Sequence, residues 1–134
     1  MPKEPIVVVA PRSDGPAHFS PGIAIDARGK LVFVSAMTAR RADGSLAGVG
    51  DVGQQTQQVC ENIKAVVQAA GGSLKDVCQV TVYLRHMTDR ERVNAVRREH
   101  FGSPPPASAV VEVSRLASPE FLVEISAVAL VPPS

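Results

Sequence analysis

Tryptophan is absent from this 134-residue chain, tyrosine occurs once, and cysteine occurs only twice. Two cysteines cannot build the network of disulfides that stabilises small secreted domains. Cys60 and Cys78 stand too far apart for a C-x-x-C motif, and no histidine cluster accompanies them, so we expect neither a metal site nor a redox pair. Both thiols are expected to be reduced and buried, with a disulfide as the alternative, and we assign no cofactor to the chain.

A strong charge of either sign and long apolar runs are also missing. The formal net charge is +1, which provides no strongly basic surface for phosphate, so we do not expect nucleic acid as a partner. No apolar run approaches the ~20 residues that a membrane-spanning helix requires. The apolar stretch at residues 6–10 is too short for a secretory signal. We therefore expect a cytoplasmic protein that makes no contact with membranes.

The chain is long enough for one domain, which we predict over residues 1–134, and 45% of its residues are hydrophobic. A run of β-branched residues predicts a first strand at residues 6–9. Residues 12–21 are predicted to form a loop. Residues 22–26 and 31–36 then predict a hairpin with Gly29 in its turn.

Two stretches show helical rather than strand spacing. Over residues 51–70 the apolar side chains recur on one stripe, and Gly71 ends the predicted helix. A second predicted helix, residues 90–101, follows a cap at Asp89. It carries Arg97 near its apolar stripe, and we interpret that arginine as a surface or subunit-contact residue. Three further strands are predicted at residues 77–87, 109–116 and 121–131.

The last predicted strand, residues 121–131, carries mainly apolar side chains on both faces. Both faces should therefore be covered. Two helices can cover only one face of a six-stranded sheet, so the second face needs another chain. The sequence thus predicts an α+β fold with one six-stranded mixed sheet, two helices on one face, and assembly into an oligomer.

Residues 106–116 read Pro-Ala-Ser-Ala-Val-Val-Glu-Val-Ser-Arg-Leu, and Val-Glu-Ile follows at residues 123–125. These two motifs resemble the C-terminal signature of the RidA family, also called YjgF or L-PSP: Pro-Ala-Arg, alternating apolar positions, and an aliphatic-Glu-aliphatic strand. Matches in both predicted helices extend the resemblance over residues 16–131. The resemblance implies a chorismate-mutase-like fold and a homotrimer with substrate clefts between adjacent subunits.

In the deaminating members of that family, an arginine holds the substrate carboxylate and a glutamate positions water during hydrolysis of a reactive imine or enamine. Here the arginine position is Ser108 and the glutamate position is Ser126. A serine hydroxyl lacks the charged, two-pronged contact of a guanidinium. The resemblance therefore implies a less charged cleft, with Ser126 as a catalytic candidate and Ser108 as a substrate-binding candidate.

The remaining site positions also follow from the resemblance. The aromatic residue of the cleft corresponds to Phe19, and the cysteine often found two residues after the arginine corresponds to Val110. The backbone contact after the second hairpin strand falls on Ser35 and Ala36. We expect all four residues to contact substrate. His18, beside Phe19, is a second catalytic candidate because an unperturbed imidazole titrates near neutral pH and can move protons.

Arg40 and Arg41 are candidates to replace the missing cation in substrate binding. The pattern Arg-Arg-x-Asp at residues 40–43 resembles the aminomuconate-deaminase branch of the family. That branch acts on an unsaturated dicarboxylate carrying an enamine. A solvated basic loop is the alternative interpretation of these two arginines.

Three functions are consistent with the sequence. The first is hydrolytic deamination of an imine or enamine metabolite, either a 2-imino acid or an aminomuconate-like compound, in an altered cleft. The second is a regulatory trimer that binds a small molecule without catalysis, which the loss of both charged positions favours. The third is the L-PSP-type endoribonuclease activity associated with some family members. The near-neutral charge and the single tyrosine argue against that third function.

Overall fold

The structure, a computed structural model, describes residues 2–7 and 17–134. Within these residues the chain forms an α+β fold with two α-helices and six strands, as the sequence predicts. The elements follow in the order β1 (Glu4–Ile6), β2 (Gly22–Ala24), β3 (Lys30–Met37), α1 (Val52–Ala69), β4 (Val77–Leu84), α2 (Arg90–Phe101), β5 (Ala107–Glu112) and β6 (Val123–Val131). None of the helices in this part of the chain is long and apolar enough to cross a membrane.

The strands are divided between two sheets rather than joined in the single six-stranded sheet that we predicted. Strands β3, β6, β4 and β5, in that order, form a mixed sheet in which only β4 and β5 run parallel. Strands β1 and β2 form a separate antiparallel ribbon. Each of these two strands has only three residues, and the isolated bridge between Ser20 and Ala107 joins the segment before β2 to the larger sheet.

The predicted first strand and first loop are only partly described. Strand β1 begins at Glu4, two residues before the predicted start at residue 6. Residues 8–16 lie outside the described residues, and they include the rest of the predicted strand and part of the predicted loop.

The predicted hairpin of residues 22–26 and 31–36 is wrong. Strand β2 pairs with β1, whereas β3 pairs with β6 and places Lys30 opposite Val131. Gly29 has a φ of 111°, and a Cβ at this position would collide with the carbonyl oxygen of Val131. The turn at Gly29 therefore brings the start of β3 against the end of β6, so β3 does not fold back along β2.

Both helices form where their apolar spacing predicts them. The side chain of Asp51 accepts a hydrogen bond of 3.0 Å from the backbone N–H of Gln54, which satisfies one of the free amides of the first turn of α1. Gly71, with a φ of 93°, follows the end of that helix as expected. The buried side of α1 includes Val59, Ile63 and Val67.

The core lies between the helices and one face of the mixed sheet. On that face Val80, Val82 and Leu84 of β4 are fully buried, as are alternate residues of β6. Burial of such apolar surface is worth roughly 25 cal/mol per Å². The opposite face, which we name the open face, carries Phe33, Thr81, Tyr83, Val111, Glu124 and Ser126. Phe33 is 74% exposed within the single chain, and a second chain that covers this face stays a prediction.

Candidate functional site

The segment before β2 lies along the free edge of β5. Ser20 donates its backbone N–H to the carbonyl of Pro106 at 3.1 Å, and its hydroxyl to the carbonyl of Pro105 at 2.6 Å. His18 and Phe19 come immediately before Ser20, so both rings are brought to this edge. Their centroids are 5.0 Å apart in an edge-to-face arrangement. The two ring residues predicted for the site thus lie beside the strand that carries Ser108.

Helix α2 supplies a cation to the same edge. Arg97 Nη1 donates a hydrogen bond of 2.6 Å to Ser108 Oγ, and Arg97 Nε donates one of 3.0 Å to Asn94 Oδ1. Only 2% of Arg97 is exposed. The position where the family pattern has an arginine is therefore in direct contact with a different arginine. We name His18, Phe19, Asn94, Arg97 and Ser108 the β5 edge cluster.

Our interpretation of Arg97 as a surface residue is wrong, and a contact with another subunit stays a prediction. The residue lies on the buried side of α2 together with Val93 and Phe101. The sequence carries a signal for this position, because Arg97 follows Val93 by four residues on an otherwise apolar stripe. A long basic side chain at such a place can either extend to water or bury its head against a polar partner. Spacing alone does not decide between these two outcomes.

Burial determines the charge balance around Arg97. Loss of hydration lowers the pKa of Arg97 to about 10; the neighbouring Cys60 opposes this effect and Arg98 adds to it. The guanidinium therefore stays protonated at neutral pH. Burial also raises the pKa of Cys60 to about 12, so that thiol is neutral. Among the described residues, no carboxylate lies within ion-pairing distance of Arg97.

The surroundings of His18 lower its pKa and so favour the neutral imidazole. Partial burial lowers the pKa of His18, and the positive charges of Arg97 and Arg98 lower it further, against a weaker opposing effect of Glu91. A neutral imidazole has one nitrogen that accepts a proton and one that donates. The electrostatic environment thus suits the proton-transfer role that we predicted for His18.

Ser126 lies on the other face of the sheet from Ser108. The register pairs Ser126 with Thr81, and Ser108 with Val80. Successive residues of a strand point to opposite faces, so Ser108 faces the helices and Ser126 belongs to the open face. Glu124 lies on the same face as Ser126, and burial raises its pKa. Within one chain, Ser108 and Ser126 cannot line the same pocket.

Ser35 and Ala36 are exposed on β3, where the pairing with β6 shifts register between Val34 and Met37. Within the described residues β3 pairs on one side only, with β6, and this irregularity interrupts the pairing at Ser35 and Ala36. Val110 has a different setting. It lies on the helix-facing side of β5 and packs against the core.

Arg40 and Arg41 belong to a turn at the other end of the sheet from the start of β5. Arg40 Nη1 donates to the carbonyl of Gly44 at 3.0 Å, and the guanidinium lies 5.0 Å from the centroid of the Phe121 ring. Arg41 Nη1 donates to Ser45 Oγ at 3.2 Å. The fold does not bring either arginine to the β5 edge cluster of its own chain, and both interpretations of the two arginines stay predictions.

The β5 edge cluster combines a neutral imidazole, an aromatic surface, a hydroxyl and a buried cation. These groups can transfer protons, orient a small planar molecule and form hydrogen bonds to an anion. Across residues 2–7 and 17–134, no group of three His, Cys, Asp or Glu side chains is close enough to hold a metal ion.

Known proteins share both the sequence and the fold. A family model described as Endoribonuclease L-PSP matches residues 10–131. A 3-aminoacrylate deaminase, RutC, from Acinetobacter baylyi is 35% identical over 96% of this chain and 98% of its own length. A RutC family protein from Pyrococcus horikoshii is 54% identical over 60% of this chain, and the match spans 63% of that protein, a little under two thirds.

The solved structures agree with the expected RidA/YjgF fold. The structure of YyfB from Yersinia pestis, a protein of the conserved Rid family, is 30% identical and has a TM-score of 0.79. The match covers 93% of this chain and 98% of YyfB. Family model, sequence relatives and fold lead to the same conclusion: the chain belongs to the L-PSP family, the family of the RidA, YjgF and RutC proteins.

Proposed function

We propose that the chain catalyses the hydrolytic deamination of a small, reactive enamine or imine, with compounds like 3-aminoacrylate as the substrate class. The observation that carries this proposal is the edge-to-face pair of the His18 and Phe19 rings at the β5 edge, 5.0 Å apart, where burial and Arg97 lower the pKa of His18. The 35% identity to a 3-aminoacrylate deaminase over nearly the whole chain supports it.

The reaction requires orientation and proton transfer. The enamine gains a proton at carbon and loses one from nitrogen to give the imine. Water adds to the carbon of the C=N bond, and the resulting amino alcohol expels ammonia to leave a carbonyl group. Neutral His18 accepts the proton that water loses on attack and returns it to the leaving nitrogen. Phe19, which is 42% exposed, offers a flat surface that holds a planar substrate in position.

The proposed reaction takes place in a cleft between subunits of a homotrimer. Since Ser108 and Ser126 lie on opposite faces of one sheet, only a second copy can add Ser126 to the β5 edge cluster. The same holds for the exposed backbone at Ser35 and Ala36. The apolar surface around Phe33 on the open face is the area that the neighbouring subunits would cover.

A trimer that binds a small molecule without turnover is the second candidate function. The observation that favours it is Ser126, because a hydroxyl at this position cannot act as the general base that a carboxylate would provide. Such a protein would be stabilised by its ligand and would release no ammonia.

The test of the proposed function is the loss of 3-aminoacrylate and of its isomer 2-aminoacrylate, each generated in situ, the second from serine by a dehydratase, with ammonia measured in parallel. We expect the chain to accelerate the hydrolysis above the rate in buffer, and His18→Ala and Phe19→Ala to reduce that acceleration. His86→Ala is the matched control, because His86 is exposed and follows the far end of β4. No acceleration with carboxylate, dicarboxylate or neutral enamines would exclude catalysis, and thermal stabilisation by a metabolite without turnover would then support the second candidate.

A further inference from the structure

Helix α2 buries a positive charge that the described part of the chain does not neutralise. Arg97 is 2% exposed, and its hydrogen bonds to Asn94 and Ser108 go to neutral oxygens. The neighbouring Cys60 is a protonated thiol. A buried cation usually has an anionic partner, because removing a charge from water is costly unless an opposite charge compensates it. The environment of Arg97 therefore favours the binding of an anion.

The charge of Arg97 also acts on the rest of the β5 edge cluster. Arg97 lowers the pKa of His18, second only to the effect of burial. The guanidinium is therefore close enough to influence the charge of a group bound at this edge.

Ser108 connects the buried charge to the surface. Its Oγ accepts a hydrogen bond from Arg97, and a hydroxyl that accepts can still donate its own O–H to another group. The residue is half-buried, whereas Arg97 is almost completely buried. A hydroxyl that accepts from a guanidinium becomes a better donor, because hydrogen bonds in a chain polarise one another.

We propose that Ser108 and Arg97 together bind the carboxylate of a small monocarboxylate substrate. The Ser108 hydroxyl donates a hydrogen bond to the carboxylate, and the guanidinium of Arg97 behind it supplies the positive charge. The cation thus comes from helix α2 and not from strand β5. This inference rests on the proposed function for the size and planar shape of the ligand, and it adds the charge of the ligand and the residues that recognise it.

Crotonate and crotonamide are the probes that test this inference. Crotonate has the shape of 3-aminoacrylate with a methyl group in place of the amino group, and crotonamide is its uncharged counterpart. We expect calorimetric titration of the full chain to show tighter binding of crotonate. Arg97→Gln should weaken crotonate binding by about tenfold or more, the order expected for loss of a charge-assisted interaction, and should leave crotonamide binding unchanged. Ser108→Ala should also weaken crotonate binding, because the donor is lost.

Three further variants separate charge from structure. Arg97→Lys keeps the charge and should keep the preference for crotonate. Arg90→Gln removes an exposed charge from the same helix and should leave the preference in place. The double variant Arg97→Met with Ser108→Arg returns the cation to the strand and should restore a preference that Arg97→Gln loses. A general structural defect would weaken the binding of both probes alike, so the ratio of the affinities for crotonate and crotonamide is the decisive quantity.

An unchanged ratio in Arg97→Gln would overturn the inference, as would a wild-type chain that binds both probes equally or binds neither. If Arg97→Gln does not fold, Ser108→Ala decides, and a full preference for crotonate in that variant overturns the inference. Turnover of the two aminoacrylates is measured separately. If the chain prefers crotonate through Arg97 but does not accelerate hydrolysis, only the proposed function is contradicted. If the chain catalyses hydrolysis but the Arg97→Gln variant keeps the preference for crotonate, only this inference is contradicted.

Discussion

The side-chain amide of Gln55 in α1 holds the backbone of Leu122 just before β6. Gln55 Oε1 accepts from the Leu122 N–H at 2.9 Å, while Nε2 donates to the carbonyls of Glu120 at 2.9 Å and Gly48 at 3.2 Å. Gln55 is fully buried, so water cannot replace these bonds if the side chain is lost. One side chain therefore connects the loop before α1 and the loop before β6 to the helix.

Gln55→Leu should lower the free energy of unfolding by about 2–4 kcal/mol, because the Leu122 N–H and the Glu120 carbonyl lose their partner while the side-chain volume stays similar. The Gly48 carbonyl keeps its bond from the Asp51 N–H. Urea denaturation followed by circular dichroism measures this change. Gln57→Leu is the matched control on the exposed side of the same helix, and its effect should stay within about 0.5 kcal/mol. Similar stabilities for the two variants would contradict the role assigned to Gln55.

Gly29→Ala should destabilise the chain by more than about 2 kcal/mol, since it adds a collision with the carbonyl of Val131 to the cost of a positive φ. Gly44→Ala separates the two effects, because Gly44 also has a positive φ, of 89°, but a Cβ there would meet no atom within 4 Å. That control should lose about 1–2 kcal/mol. Thermal unfolding of both variants gives the comparison, and equal losses would show that the contact with Val131 is unimportant.

The sequence predicts single elements of this fold better than it predicts their pairing. The apolar period over residues 51–70 locates α1, observed at Val52–Ala69, because that period is a local property. The pairing of β3 with β6 is not local. It depends on the contact between Gly29 and the end of β6, and two neighbouring strand-like runs give no sign of it. The hairpin prediction therefore failed although β3 itself was found.

In the candidate site, too, the sequence predicts single positions better than it predicts the contacts between them. The family pattern located Ser108 at the start of β5 and Phe19 in the segment beside it, since both positions follow from motifs in the sequence. The contact between Arg97 and Ser108 joins a helix to a strand across a segment with three prolines. No short motif contains both residues, so sequence reasoning identified the loss of one arginine and did not find the second arginine that approaches the same place.

Removing the charge of Arg97 should raise the pKa of His18. The neighbouring cations disfavour the protonated imidazole, so Arg97→Gln should move the titration of the His18 ring protons, followed by NMR, to higher pH. Arg90→Gln should move it less, because Arg90 contributes less to the shift than Arg97. The acid limb of the deamination rate should move in the same direction.

The lowered pKa of His18 also determines how the stability of the fold depends on pH. Because folding lowers the pKa of His18, the unfolded chain binds a proton more readily. The contribution of His18 to stability is therefore present above the ordinary histidine pKa of about 6.5 and is lost as the pH falls below it.

A titration of His18 that moves to lower pH in Arg97→Gln would contradict the electrostatic contact between these residues.

Phe33→Asp should dissociate the proposed homotrimer. Phe33 is 74% exposed on the open face of a single chain, and in the proposed assembly it is covered, so an aspartate there would have to bury an unpaired charge. Light scattering should give the wild-type chain three times the mass of one 14.1 kDa subunit, and the variant should shift toward a single subunit. Val49→Asp is the control, since Val49 is 67% exposed but lies in the loop before α1 and not on the sheet. A wild-type mass of one subunit would remove the intersubunit cleft, and with it the only way for Ser126 to reach the β5 edge cluster.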